Sequence, residues 1–143
     1  MPQNLDVVVA QYGHTRLPGA KHWAIVVLKD LEKLRGIAFQ VTGSTNTYEV
    51  KRPEEVELLC STTYMGNVKV GSVCGDYALG AESTAPSTII QHTPVVRGDL
   101  NWNCQNWVVA ALKCLKDAHH NISEEITLGG LQAQFAQVQR EDM

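Results

Sequence analysis

Apolar residues along the chain follow two spacings, one strand-like in the first half and one helical in the second. Residues 5–12, LDVVVAQY, are an apolar and β-branched run, which predicts a largely buried strand. Residues 22–28, HWAIVVL, predict another. Its alternation sets His22, Ala24 and Val26 on one face and Trp23, Ile25 and Val27 on the other. Between them HTRLPGAK, residues 14–21, holds Pro18 and Gly19 and reads as a turn. KDLEKLRG is a charged connection to a third strand at 37–42, IAFQVT, with Gln40 and Thr42 on one face. TYEVKR at 47–52 reads as a fourth. Residues 53–59, PEEVELL, predict one short helical turn, with proline tolerated at its start. NVKVGSV, within residues 64–73, is a further strand, and the Gly-, Ser-, Thr- and Ala-rich stretch 75–93 reads as a long surface loop.

The helical spacing starts at Cys104. Trp107, Val108, Ala111, Leu112 and Leu115 form one continuous face, and Asn103 is a suitable N-cap. A last helix is predicted over 124–139 with Leu131, Phe135 and Val138 as its buried stripe, its start weakened by Gly129 and Gly130. The fold class is therefore α+β: an antiparallel β-sheet packed against the helix that carries Cys104, with a C-terminal helix.

Length and charge narrow the function classes. The 143 residues fit one domain, 1–143. The formal net charge is −3 and no basic patch stands out, so no nucleic-acid partner is expected. No apolar run reaches the roughly 18 residues that span a bilayer, so no integral membrane segment is expected. The N-terminus lacks a basic region followed by a long apolar one and reads as a mature strand. The expected location is cytoplasmic, with unconventional secretion left open. Four cysteines, Cys60, Cys74, Cys104 and Cys114, read as reduced thiols without a dense framework. The sequon Asn121-Ile122-Ser123 matters only in a secreted form. There is no CxxC pair, no zinc-like spacing, no phosphate-cradling glycine motif and no GxSxG elbow, so neither cofactor nor metal is called for.

Candidate chemistry centres on Cys104, in WNCQNWV. A cysteine in the first turn of a helix faces free N–H groups and the positive end of the helix dipole, which favour the thiolate. The same position also fits a buried cysteine on an apolar helix face. Cys60, Cys74 and Cys114 have no evident activating neighbour and read as structural. A nucleophilic cysteine needs a base. His22 alone among the five histidines opens an apolar strand after a turn. It also fits a hydrogen-bonded histidine at the edge of a core. His14 and His92 fall in loops, and His119-His120 at the exposed end of the long helix. If 22–28 and 37–42 pair as a hairpin, His22 lies opposite 40–42, and Gln40 can accept from its Nδ1–H. Gln40 equally fits a solvent-facing strand position. Trp23, Trp102 and Trp107 fit either core or the lining of a cleft.

HWAIVV and, about eighty residues later, NCQNWV resemble the His-strand and Cys-helix of the circularly permuted papain-like superfamily. That superfamily includes lecithin:retinol acyltransferase-like enzymes and deSUMOylating isopeptidases. The likeness spans roughly residues 5–118 and is greatest to small fungal proteins with the same HWA and WNC-x-x-WV elements. It implies a permuted papain-like fold and a cysteine hydrolase acting on an amide, isopeptide or ester bond of a peptide, protein or small acyl substrate. Cys104 would be the nucleophile, His22 the general base and Gln40 the third, polar residue, with helix-start N–H groups holding the oxyanion. Two departures weigh against a lipid acyltransferase: Gln40 stands where those enzymes carry a second histidine, and no C-terminal apolar anchor is visible. The rival class is a binding or immunomodulatory module that keeps the fold without turnover, and a third option is acyl transfer to an acceptor other than water.

Overall fold

The computed structural model describes residues 4–13, 21–80, 82–123 and 126–141, without the side chains of 76, 77 and 138–141. The predicted turn at 14–20, with His14, and the predicted packing of Val138 lie outside what is described.

The two apolar runs become β1 (Asn4–Tyr12) and β2 (His22–Asp30), paired antiparallel with Tyr12 opposite His22 and Val9 opposite Ile25. Both strands are covered on both faces: Val7 to Ala10 and Trp23 to Leu28 are all buried. A tight hairpin leads to β3 (Arg35–Phe39), which pairs Val26 with Ala38 and Ile25 with Phe39. Gly36 is needed there, because a Cβ would come 2.1 Å from the Val27 carbonyl oxygen of β2. The predicted third strand breaks at Gln40. Val41–Thr42 (β4) leaves the main sheet and pairs with β5 (Glu49–Val50), and the Gln40 carbonyl accepts from Lys51 N–H at 2.8 Å.

Residues 53–59 correct the sequence reading. Instead of a helical turn, Glu54–Glu57 is a strand, β6, paired with β3, and only Leu58–Cys60 turns, as a 3₁₀ segment. The unpaired edge of β3 supplies hydrogen-bond partners that an isolated turn lacks, and the alternation EEVE suits a half-exposed edge. β7 (Tyr64–Cys74) pairs with the other side of β1, and β8 (Asn121–Ile122) with β7. The sheet order is β6-β3-β2-β1-β7-β8, antiparallel throughout.

The stretch 75–93 is not a loop throughout. It holds two short helices, α1 (Gly75–Ala78) and α2 (Pro86–Gln91), with Ala78, Ala85, Ser87 and Ile90 buried. Small side chains let these turns sit close to the core, and Pro86 sits at the first helical position where its missing N–H costs nothing. The long helix α3 (Cys104–Asp117) buries the predicted face Trp107, Val108, Ala111, Leu112 and Leu115. The last helix, α4 (Leu128–Glu141), starts later than the sequence suggests, with the Thr127 hydroxyl accepting from Gly130 N–H at 3.0 Å.

One sheet face, with Val7, Val9, Trp23, Ile25 and Val27, meets α3 and α4 in the main core, where the Trp23 and Phe135 rings lie 5.4 Å apart. The other face gathers Val8, Ala10, Val26, Leu28, Ala38 and Leu58, with Tyr12 and Tyr64 at its rim. Among the described residues, no helix is long and apolar enough to cross a membrane.

Candidate active site

His22 is the first residue of β2, so its backbone is held by pairing with Tyr12 while its ring sits half-buried at the end of the sheet. Cys104 is the first residue of α3. Asn103 caps that helix, its side chain accepting from Gln105 N–H at 2.9 Å, and Asn106 returns a bond to Asn103 N–H at 2.9 Å. The helix start is fastened to the strand start: Gln105, a buried residue, donates from Nε2 to the Lys21 carbonyl at 2.8 Å and accepts from Gln132 of α4 at 2.9 Å. The Cys104 sulfur lies 4.0 Å from that same carbonyl oxygen.

This brings the Cys104 thiol and the His22 imidazole close enough for each to shift the other's pKa. The His22 Nε2 is 2.6 Å from Gln40 Oε1. The nitrogen facing Gln40 is thus Nε2, not the Nδ1 expected from sequence. Gln40 in turn donates from Nε2 to Glu54 Oε1 at 2.9 Å, and Lys51 Nζ lies 2.8 Å from the same oxygen. A row of side chains therefore crosses one sheet face at one end, from Tyr64 through Tyr12 and His22 to Gln40 and Glu54, with the Tyr12 and His22 rings 5.9 Å apart.

Burial raises the Cys104 pKa, but the His22 hydrogen bond, the Trp23 and Gln105 N–H groups and the imidazole charge outweigh it, and the thiol ends lowered. Burial likewise lowers His22, yet its bonds to Cys104 and Gln40 and the facing thiolate leave the imidazole raised, against a smaller opposing push from Lys51. Both directions favour a thiolate–imidazolium pair. Tyr12 is pushed up to about 12, first by burial, then by Tyr64 and Glu54.

The expectation of several free N–H groups at the helix start needs correction. Asn103 takes up Gln105, Asn106 and Trp107 N–H, which leaves Cys104's own N–H as the first-turn donor without a protein acceptor among the described residues. A model for a protein family matches residues 7–120. The chain belongs to DUF6540, a family of unknown function. No curated protein and no solved structure matches it. The DUF6540 match runs from β1 past the end of α3, so it includes His22, Gln40, Glu54, Cys104 and Gln105 but not Gln132 or the rest of α4.

The remaining candidates lie elsewhere. All four cysteines are free, and Cys60 is exposed on the surface, its thiol 3.1 Å from a Glu57 carboxylate oxygen that raises its pKa. His92 is exposed at the end of α2, 2.9 Å from the Thr88 carbonyl. His119 and His120 lie past the end of α3, with His120 2.9 Å from the Thr84 carbonyl. Trp23 and Trp107 are wholly buried core residues, whereas Trp102 is half-buried and packs edge-on against Tyr48 at 5.2 Å. Among the described residues no cluster of three His, Cys, Asp or Glu side chains could hold a metal ion. Glu54 and Gln105 escape the sequence reading. The only hint of Gln105 is a glutamine beside Cys104 next to an apolar helix face, and Glu54 has no local sign at all.

Proposed function

We propose that this protein is a cysteine hydrolase of the permuted papain-like kind, cleaving an amide, isopeptide or ester bond. The observation that supports this best is the run of contacts Cys104–His22–Gln40 at a helix start and a strand start, with the thiol lowered and the imidazole raised. In this reading Gln40 accepts from His22 Nε2–H, which leaves Nδ1 as the base.

His22 Nδ1 takes the proton from Cys104 Sγ, and the thiolate forms a bond to the substrate carbonyl carbon. The oxygen that becomes negative is held by Cys104 N–H at the positive end of α3. The imidazolium then gives its proton to the departing nitrogen or oxygen as that bond breaks, leaving an acyl group on Cys104. Water attacks the acyl carbon while His22 takes its proton. The carbon–sulfur bond breaks, the acid leaves, and the Cys104–His22 pair is restored.

The test is an acyl-transfer burst. Mixed with a p-nitrophenyl ester, the protein is expected to release about one equivalent of nitrophenol per chain rapidly, with the added acyl mass on the Cys104 peptide. Cys104→Ala and His22→Ala abolish the burst. Slow release with no adduct on Cys104 overturns the proposal and favours a binding module that keeps the fold without turnover.

A further inference from the structure

The amide of Gln40 presents either an acceptor or a donor to His22, and the two orientations have opposite consequences. With Oε1 toward the ring, Nε2 of His22 carries the proton and Nδ1 is free to accept. With the amide reversed, Nδ1 carries the proton and cannot take one from Cys104. Nothing in Gln40 itself chooses between them. The choice lies one residue further out, where Glu54 Oε1 stands 2.9 Å from Gln40 Nε2. A carboxylate accepts only, so it holds the NH₂ end and turns Oε1 to the imidazole. Lys51 Nζ lies 2.8 Å from the same oxygen.

We infer that Glu54 is a positioning residue for the Cys104–His22 pair, setting the His22 tautomer through the orientation of Gln40. The inference rests on the hydrolase reading, and its site is the same. Glu54 is suited to the task by its element: β6 pairs with β3 at Ala38, opposite Glu54, two residues before Gln40, so carboxylate and amide meet at fixed register. Among the described residues, the groups facing His22 are Cys104 from α3, Tyr12 from β1 with Tyr64 of β7 behind it, Gln40 with Glu54 of β6, and Lys51. The side chain of neighbouring Lys21 lies toward Gly13. Lys51 disfavours the imidazolium and Glu54 holds its orienter, so their removal has opposite signs.

The experiment is the pH profile of Cys104 alkylation by iodoacetamide, with thermal melts of each variant as a check on folding. Glu54→Leu, at a half-exposed edge-strand position, removes the acceptor. It is expected to move the Cys104 midpoint upward and slow labelling near neutral pH by about three- to tenfold. Glu54→Gln retains an acceptor oxygen but can also turn its donor end to Gln40, so it restores the rate only in part. Lys51→Met moves the midpoint downward. A Glu54→Leu profile superimposable on wild type overturns the inference. So does an equal loss in Glu54→Leu and Glu54→Gln that follows their melting temperatures, since that is a packing effect. If wild-type Cys104 itself has an ordinary midpoint, the hydrolase reading fails, and this inference falls with it.

Discussion

Gln40 and Cys104 each have named polar partners, so single side chains can be altered with defined consequences. Gln40→Ala removes the acceptor on His22 and the donor to Glu54 but touches little core. Activity is expected to fall about tenfold with a small change in melting temperature, measured side by side. The pH dependence follows from the two shifts. Cys104 is lowered, so the thiolate and the stability it contributes persist below the ordinary thiol range and disappear as pH falls through the lowered value. His22 is raised, so the imidazolium contribution is complete below 6.5 and is lost only as pH rises through a value above that. The rate of acyl transfer is therefore expected to be bell-shaped, its acid limb belonging to Cys104 and its alkaline limb to His22. In the alkylation profile of Cys104, which needs no base, His22→Ala should displace the thiolate midpoint upward.

At the scale of elements, the site depends on how two ends are held. Asn103→Ala removes the cap of α3 and is expected to cost about 1 kcal/mol in a denaturant melt, while raising the Cys104 pKa as the first turn frays. Gly36→Ala forces a Cβ into the Val27 carbonyl and is expected to lower the melting temperature and weaken the Gln40 contact, since Gln40 hangs from the end of β3. The strands β1 and β2 and the helix α3 are legible in sequence because each shows a clear period and, for α3, a cap. Residues 53–59 are not, because a proline followed by acidic residues looks like a helix start. Only the open edge of β3, a tertiary feature, makes them a strand. Residues 75–93 mislead for a related reason: small residues look like a loop, yet small size is what lets α1 and α2 lie against the core. His22 and Cys104 stand out at their element starts. Glu54 and Gln105 do not, because their roles come from β6 docking beside β3 and from α3 meeting β2.

For the molecule as a whole, residues 22, 40, 54 and 104 meet only when sheet and helices have docked, and the Gln105 bridge from Lys21 to Gln132 ties α3 and α4 to β2. Gln105→Leu removes the Nε2 donor to the Lys21 carbonyl and the acceptor of Gln132, and is expected to cost about 1–3 kcal/mol, with Cys104 losing reactivity before global unfolding. The most direct test of the Cys104–His22 pair sets exposure against chemistry. Cys60 is exposed, but its neighbour Glu57 raises its pKa, whereas Cys104 is half-buried and lowered. Limited iodoacetamide labelling near neutral pH, read by peptide mass mapping, is expected to modify Cys104 before Cys60, Cys74 or Cys114. In His22→Ala only Cys104 should slow. Labelling of the folded wild type that follows exposure, with Cys60 first and Cys104 no faster than Cys74 and Cys114, would contradict the account.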